Sequence, residues 1–221
     1  MDLSIIIVSW NVADLLVDCL RSILAHPPKS EYEILVVDNA SQDNSTQILR
    51  KEFPQARLIL NEQNVGFAAG NNQAIEVATG RYILLLNPDT VVYEGTLQNL
   101  VDFLDEHPQA GAAGSLYENP DGSLQPSAYP FPTVPREFWR LMHLDKLLTY
   151  GVYDQQRWRK DTPRQVEALQ GASLLLRRAA LKQTGLLDTS YFMYTEEIDL
   201  CYRLHLKGWT LYWVPQSRIL H

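Results

Sequence analysis

Polar side chains follow three separate runs of apolar residues that have the length of a β-strand. Ser9 and Asn11 follow the first run, and Asp38 ends the second. Asn87 and Asp89 follow a later run that is apolar throughout. Open sheets of parallel strands bind ligands in the crevice beyond the carboxyl ends of the strands. The pattern therefore predicts that these hydroxyl, amide and carboxylate groups face one ligand crevice.

Asp38 stands between the apolar pair Val36–Val37 and the polar residues 39–45. A carboxylate held at the end of a buried strand could accept hydrogen bonds from the base or the ribose of a nucleotide. It could equally cap the helix that follows. The sequence leaves both roles open.

Asn87, Pro88 and Asp89 present two oxygen-bearing side chains with little conformational freedom, because proline fixes its own φ and restricts the residue before it. A hard divalent cation suits such a site, since it takes few protein carboxylates and completes its shell with substrate phosphates. An ordinary Asx-type turn is the alternative. His221 follows the last apolar run, and a lone histidine is either structural or a metal ligand.

Small residues dominate residues 64–72, which read NVGFAAGNN. They predict the start of a helix whose first amides could bind an anion, or a close contact between helix and sheet. The spacing is not GxGxxG, so a nicotinamide cofactor is not supported.

Glu196, Glu197 and Asp199 form the densest group of carboxylates, at the start of a predicted helix. Acids favour the positive end of the helix dipole, and Thr195 could be the N-cap. Alternatively, burial would raise a carboxylate pKa toward the range of a general base. The residues expected to provide that apolar surrounding are Phe192, Met193, Tyr194, Trp209 and Trp213.

Alternating apolar runs and helical spacings organise the first half of the chain. Strands are predicted at residues 3–8, 32–37, 56–60, 82–86 and 110–116. Helices are predicted at residues 15–24, 45–53, 68–78 and 96–106, with Gly80 as a C-cap of the third. Strands that are apolar on both faces and separated by helices predict an open parallel sheet covered on both sides.

The second half is less regular. Residues 119–135 contain five prolines and predict loop or edge structure. The remaining predictions are helices at 136–148, 179–184 ended by Gly185, and 196–207 ended by Gly208, and strands at 170–177 and at 210–214 before Pro215. We expect a single domain over residues 1–221, with a functional boundary near residue 116.

The charge balance narrows the classes of partner. The 221 residues carry 19 Lys and Arg against 26 Asp and Glu, a formal charge of -7. Long nucleic acid is not expected, because its binding depends on clustered basic residues. A divalent cation could still bridge an acidic protein to a phosphorylated small molecule.

Two cysteines outside any CxxC pair fit a reducing compartment. The N-terminal residues do not have the pattern of a signal peptide. No stretch approaches the roughly 20 apolar residues of a membrane span, and peripheral membrane association stays open.

Seven motifs occur in one order between residues 3 and 221: VSWN, VVDNASQDNS, NVGFAAGNN, LLLNPDT, GAxxLLRR, FMYTEEIDLCYRL and GWxLYWVP followed by a histidine. Together they resemble a family 2 glycosyltransferase of the GT-A fold, and within it the bacterial rhamnosyltransferase-like members. The resemblance implies an α/β protein with a Rossmann-like, open, mainly parallel twisted sheet. It also implies an inverting enzyme that uses a nucleotide-diphosphate sugar with Mg²⁺ or Mn²⁺. On that resemblance, residues 1–116 are the nucleotide-sugar half of the domain and residues 117–221 the acceptor and catalytic half.

The resemblance also implies roles for single residues. Those at nucleotide-binding positions are Ser9, Trp10, Asn11, Asp38, Asn64, Gly66, Asn71 and Asn87. Gly171 and Ala172 match a loop that lines the donor-sugar pocket. Asp89 falls on the metal-binding end of the family's DXD motif, and His221 on a histidine that completes the metal site. The catalytic positions are Glu196, Glu197 and Asp199, with Glu197 as the base and Asp199 able to share that role.

Two departures from the family pattern are visible. Asn87 stands in place of the first Asp of DXD, which lowers the charge of the metal site, and Glu197 stands where relatives usually have Asp. Relatives also usually continue beyond the position of His221, so we expect further chain there.

The donor and acceptor stay open. dTDP-rhamnose and UDP-hexoses are the expected donors, and a glycan or lipid-linked molecule is the expected acceptor, with residues 117–161 shaping its pocket. A cytoplasmic location, at the inner face of the membrane, would suit such substrates. The alternatives are a non-catalytic nucleotide- or glycan-binding module and a sugar nucleotidylyltransferase. The latter would need a glycine-rich loop with a basic residue where this chain has SWNVADLL.

Overall fold

The computed structural model describes residues 1–144 and 149–221. Its strands are β1 Leu3–Ser9, β2 Tyr32–Asp38, β3 Ala56–Leu60, β4 Tyr82–Leu86, β5 Val91–Val92, β6 Ala110–Glu118, β7 Leu124–Gln125, β8 Ala128–Tyr129, β9 Arg164–Val166, β10 Ala168–Leu169, β11 Ser173–Arg177 and β12 Thr210–Leu220. Its helices are α1 Ala13–Ala25, α2 Ser45–Glu52, α3 Phe67–Val77, α4 Thr96–Glu106, α5 Val134–Leu141, α6 Arg178–Thr184 and α7 Glu196–Leu206, with a 3-10 turn at Gln155–Arg157.

Strands from both halves of the chain form one mixed sheet in the order β3-β2-β1-β4-β11-β6-β12-β5. The first four strands are parallel to one another, and β12 is parallel to β6. β11 runs antiparallel to both of its neighbours. β7 and β9 pair at the margin of this sheet, and β8 pairs with β10 in a separate ribbon. The predicted open, mainly parallel sheet is confirmed.

Each face of the sheet carries its own apolar core. One core joins the sheet to α1, α2 and α4, and the other joins it to α3, α6 and α7. Residues of β1 alternate between the two, with Ile5 and Ile7 in one core and Ile6 in the other. This burial on both faces explains why the strands are continuous apolar runs.

The strand register places the predicted ligand groups side by side. Ser9 at the end of β1 is paired with Asp38 at the end of β2. Leu86 at the end of β4 is paired with Ser173 at the start of β11, so Asn87 and Ala172 are neighbours. The backbone amide of Asn87 donates to the Ala172 carbonyl at 3.0 Å.

The predicted strands and helices largely agree with the structure. The sequence did not predict which strands β11 and β12 pair with in the sheet. The proline-rich residues 119–135 form the short strands β7 and β8 and loops, as predicted. The predicted helix at 136–148 is observed as α5, and residues 145–148 of that prediction lie outside the described residues.

Two predicted boundaries are wrong. Gly80 does not cap α3, which ends in extended backbone at Ala78. Gly80 instead lies against Ser4, where an added Cβ would come within 2.6 Å of the Ser4 backbone nitrogen. The last strand continues past Pro215, because a register irregularity between Val214 and Arg218 accommodates the residue that cannot donate to the ladder.

Candidate active site

A cleft of about 300 Å³ lies beyond the carboxyl ends of β1 and β4, where it meets the start of α7. It brings together six of the predicted site residues, namely Asn87, Asp89, Gly171, Ala172, Glu196 and Glu197. Its remaining walls are apolar or amide-bearing and come from Val8, Val12, Leu15, Phe67, Pro88, Gln170, Met193 and Tyr194.

Asp38 and Ser9 are buried at the adjacent strand ends, and each keeps one oxygen without a partner. Asp38 Oδ2 accepts the Ser41 amide at 3.0 Å, which is the turn-forming role. Asp38 Oδ1 and Ser9 Oγ have no hydrogen-bond partner although both atoms are buried. Buried polar groups are nearly always paired, so these two oxygens are available to a ligand.

Trp10 and Asn11 form the loop after β1. Asn11 has a positive φ of 55°, and its Oδ1 accepts the Gln42 amide at 2.7 Å while its own amide donates to Ser41 Oγ. The loop after β1 is thereby tied to the loop after β2. Trp10 is largely exposed beside it.

Asn39 is a buried residue that the sequence reasoning did not single out. Its amide nitrogen donates to Asn64 Oδ1 and to the Gly66 carbonyl, both at 3.2 Å, and its Oδ1 accepts from Asn61 at 2.8 Å. Asn64 Oδ1 also accepts the Gly66 amide. The predicted nucleotide-binding residues Asn64 and Gly66 therefore hydrogen-bond within the protein and fix the loop before α3.

The start of α3 does not offer a free anion site at its first amide. The Phe67 amide donates to the Phe192 carbonyl at 3.0 Å, and Asn71, inside the helix, donates to the Phe67 carbonyl. At Gly70 an added Cβ would lie 3.0 Å from Val8. Close packing of helix against sheet therefore explains the small residues, and the first amide of α3 is already used within the protein.

Asn87, Asp89 and His221 converge at the cleft from β4 and from the end of β12. His221 Nε2 lies 3.6 Å from Asp89 Oδ1 and 3.5 Å from the Asn87 amide nitrogen. His221 Nδ1 lies 2.9 Å from Gln125 Oε1. Since that oxygen only accepts, Nδ1 carries a proton, and Nε2 is the nitrogen that faces Asp89 and the Asn87 side-chain amide.

This arrangement fits a divalent cation. A carboxylate and an imidazole nitrogen, with the other ring nitrogen fixed by a hydrogen bond, are common metal-binding groups. Within residues 1–144 and 149–221, no three or more His, Cys, Asp or Glu side chains form a group that could hold a metal ion. A cation held by Asp89 and His221 would thus take its remaining ligands from water and substrate phosphates, as Mg²⁺ usually does.

Glu196 and Glu197 begin α7, and one oxygen of each is buried without a partner. Burial raises the pKa of the Glu197 carboxyl, although nearby backbone amides, including that of Gly171, offset part of the effect. Burial raises the pKa of Glu196 as well, and the charge of Glu197 adds to it. Removal from water penalises the ionised form, so both carboxyls hold protons more tightly than usual.

The apolar residues expected beside this pair are partly found there. Met193 and Tyr194 line the cleft together with Glu196 and Glu197. The indole nitrogens of Trp209 and Trp213 instead donate to Gln183 and Ser127. Phe67 also lines the cleft, and Glu197 lies against Gly171, where an added Cβ would be 3.8 Å from the Glu197 Cβ. The expectation of a raised pKa is confirmed for both carboxyls.

Asp199 lies outside the cleft. It forms an ion pair with Arg203 at 2.7 Å, one helical turn further along α7. Arg203 also donates to the carbonyls of Thr184 and Leu186. Asp199 thereby helps to hold α7 on the end of α6, which disfavours a direct part in proton transfer.

The backbone before the acidic pair is strained. Five non-glycine residues of the described chain have positive φ, namely Asn11, Ala40, His143, Tyr194 and Thr195. All but His143 lie within two residues of a predicted site residue. Thr195 occupies the N-cap position of α7 with φ of 71°, but its hydroxyl donates to the Tyr194 carbonyl and does not cap the helix. Such strain is concentrated at functional sites in proteins.

Gln125, Gln170 and Tyr117 also shape the site without having been predicted. The Tyr117 hydroxyl donates to the Gln170 carbonyl and accepts the Ser173 amide at 2.7 Å, which fixes the loop carrying Gly171. Gln125 orients His221 from within the proline-rich segment. No motif marks these residues, since each acts through a contact distant in sequence.

Comparison with known proteins gives a consistent picture. The model of glycosyl transferase family 2 matches residues 4–184. The N-acetylglucosaminyl-diphospho-decaprenol L-rhamnosyltransferase of Mycobacterium tuberculosis is 32% identical over 207 residues, which cover 85% of this chain and 66% of the relative. Rhamnosyltransferase WbbL of Escherichia coli K12 is 28% identical over 231 residues, covering 98% of this chain and 82% of the relative.

Among solved structures, the crystal structure of GalNAc-T7 with UDP, GalNAc and Mn2+ superposes with a TM-score of 0.76 at 18% identity. It covers 100% of this chain, which spans 44% of the GalNAc-T7 chain. The chain is therefore shorter than the mycobacterial relative and than this structural neighbour.

Proposed function

Because the chain belongs to glycosyl transferase family 2 and has the GT-A fold, we propose that it moves a sugar from a nucleoside-diphosphate donor to an acceptor hydroxyl, with inversion. One observation carries this proposal. Within the described residues, the buried side-chain oxygens that lack a partner are Ser9 Oγ, Asp38 Oδ1, Glu196 Oε2 and Glu197 Oε2. Two belong to the proposed nucleotide end of the site and two to the proposed catalytic end.

The donor nucleotide occupies the ends of β1 and β2. Asp38 Oδ1 and Ser9 Oγ accept or donate hydrogen bonds to its base and ribose, and Trp10, exposed nearby, offers a face for stacking. We propose dTDP-rhamnose or a UDP-hexose as the donor. The names of the mycobacterial and Escherichia coli relatives favour the rhamnose donor.

Asp89 and His221 are the residues that would hold a divalent cation. Mg²⁺ or Mn²⁺ bound there would supply positive charge that stabilises the leaving nucleoside diphosphate. Gln125 keeps the Nε2 side of the His221 ring turned toward Asp89. Gly171 and Ala172 border the donor sugar, because a side chain at position 171 would fill the space between Phe67 and Glu197.

Glu197 is the proposed base. It takes the proton of the acceptor hydroxyl as that oxygen forms a bond to the anomeric carbon, on the face opposite the diphosphate. The bond from the anomeric carbon to the diphosphate breaks in the same step, so no nucleophilic side chain is required. The raised pKa of Glu197 improves it as a proton acceptor once it is ionised.

We propose a glycan or a lipid-linked saccharide as the acceptor, since the mycobacterial relative is named for a diphospho-decaprenol acceptor. An enzyme that joins a nucleotide sugar to such an acceptor would act on the cytoplasmic side, at the inner face of the membrane. No helix in the described part of the chain is long and apolar enough to span a bilayer. We propose no nucleic-acid partner.

A panel of nucleotide sugars tests the function by thermal shift, in the presence of Mn²⁺ and with Asp89→Ala as the matched variant. We expect one sugar nucleotide to raise the melting temperature of the wild type, because ligand that binds only the folded state stabilises it. The same nucleotide should raise it less in Asp89→Ala, and wild-type protein should slowly hydrolyse it without acceptor. Binding without any hydrolysis or transfer would indicate a non-catalytic binding module instead.

A further inference from the structure

Helix α5 lies at the protein surface. None of its residues is buried, and it contributes to neither core of the sheet. Val134, Phe138 and Leu141 are 86%, 58% and 76% exposed. Their spacing of four and three residues places them on one side of the helix. We call these three side chains the α5 apolar face.

The opposite side of α5 holds the helix firmly in place. Arg136 forms two hydrogen bonds with the Glu167 carboxylate, at 2.6 and 2.8 Å, and a third with the Phe131 carbonyl. Thr133 accepts the Arg136 amide as the N-cap. The α5 apolar face is therefore presented on a fixed helix. Contiguous exposed apolar surface of this kind usually marks a binding surface.

The charge of the surrounding segment limits what can cover this face. Residues 133–160 contain six Lys and Arg and three Asp and Glu, a net charge of +3 in a chain of net charge -7. The basic side chains of this segment include Arg140, Arg157 and Arg159, all largely exposed, and each forms an ion pair with one carboxylate, of Glu137, Asp154 and Asp161 respectively. The excess positive charge therefore belongs to the segment as a whole rather than to these three side chains. A second copy would bring the same positive charge to a two-fold interface, where like charges repel.

We propose that α5 docks this protein onto an anionic bilayer surface, with Val134, Phe138 and Leu141 in the interface. An apolar helix face within a cationic segment is the pattern of an interfacial helix on anionic lipid. The proposal does not depend on the proposed transferase function, since binding to vesicles needs neither donor nor turnover.

The position of α5 relative to the cleft fits such a surface. Pro132 and Thr133, which precede α5, line the groove beside the helix. They also line a second depression of about 540 Å³ that contains Thr195 and Asp199. Thr195 directly precedes the acidic pair Glu196–Glu197. Docking through α5 would therefore place a lipid surface next to the entrance of the catalytic cleft.

Vesicle sedimentation tests the proposal. We expect the wild type to sediment with phosphatidylcholine vesicles containing phosphatidylglycerol, less with phosphatidylcholine alone, and less at high salt because screening weakens the ionic part. Phe138→Glu with Leu141→Glu should weaken binding by about tenfold or more, since it removes two apolar anchors and adds negative charge. Leu206→Glu, which changes a side chain 63% exposed on α7, should bind as the wild type does.

Several results would overturn it. The proposal is wrong if the wild-type protein stays in the supernatant with anionic vesicles. It is also wrong if the double variant sediments with them as the wild type does. A dimer of the wild type that the double variant abolishes, with no vesicle binding, would assign the α5 apolar face to a second copy. Unchanged melting temperatures would show that the variants are folded, and Val134→Glu provides an independent second variant.

Discussion

Two adjacent carboxylates at the start of α7 have buried oxygens without partners, while a third, two residues on, is held in an ion pair. Glu196 and Glu197 face the cleft, and Asp199 is held by Arg203. The spacing of Asp199 and Arg203 is that of an i,i+4 ion pair, so the sequence already contained the reason to prefer Glu197. The free oxygen of Glu197 was not predictable, because it depends on Gly171 and Phe67 packing against it.

Glu197→Gln tests the proposed base. We expect turnover to fall by roughly 10²- to 10⁴-fold, the usual effect of losing a general base, with donor affinity unchanged. Wild-type turnover should rise as pH increases through the raised pKa of Glu197, because only the ionised form accepts a proton, and this rise should be missing in the variant. Both are read from initial rates against pH.

The same substitution has a defined effect on stability. A carboxyl whose pKa is raised in the folded state stabilises the fold below its unfolded pKa, and this contribution is lost as pH rises through the folded pKa. The melting temperature of the wild type should therefore fall relative to Glu197→Gln over that range.

Near-normal turnover in the Glu197→Gln variant would remove Glu197 from the role of base.

At the scale of elements, the loop before α7 and the start of α3 are coupled by one close backbone contact. The Phe67 amide donates to the Phe192 carbonyl. Gly66 has φ of 85° and ψ of 174°, a conformation that is essentially restricted to glycine. An added Cβ at Gly66 would lie 2.6 Å from the Phe192 carbonyl oxygen. Gly66 therefore determines how closely the loop that leads to Glu196 and Glu197 approaches α3.

Gly66→Ala should lower both stability and turnover, whereas Gly122→Ala is its matched control. Gly122 also has a positive φ, 78°, but no atom lies within 4 Å of an added Cβ. Both variants should lose about 1 kcal/mol or more for the positive φ, and Gly66→Ala should lose roughly 1–3 kcal/mol more for the close contact. Urea denaturation and initial rates measure the two effects. Equal losses in both variants would show that the Phe192 contact is unimportant.

Most elements could be predicted from the sequence because apolar period and length are local properties. The strands and helices of the first half agree with the structure to within a few residues. The place of β11 between β4 and β6 could not be predicted, since an apolar run does not reveal its direction or its neighbours. The continuation of β12 past Pro215 depends on a bulge against β6, which is also a tertiary property.

At the scale of the whole molecule, a single sheet brings together residues distant in sequence. The ends of β1, β2 and β4 bring Ser9, Asp38 and Asn87 to one edge, and β12 returns His221 to Asp89 across 132 residues. The resemblance of the motifs predicted this convergence. The role of α5 was not predicted, because its exposed face is defined only by what the rest of the fold leaves uncovered.

The proposed function requires one cleft to hold a nucleoside diphosphate and a divalent cation beside Glu197. Crystals grown with Mn²⁺ and either UDP or dTDP test it directly through the anomalous scattering of manganese. We predict a manganese peak in contact with the Asp89 carboxylate and His221 Nε2, with the diphosphate on the metal and the ribose near Asp38. A nucleotide bound on another face of the protein, or a manganese peak without contact to Asp89, would contradict the account.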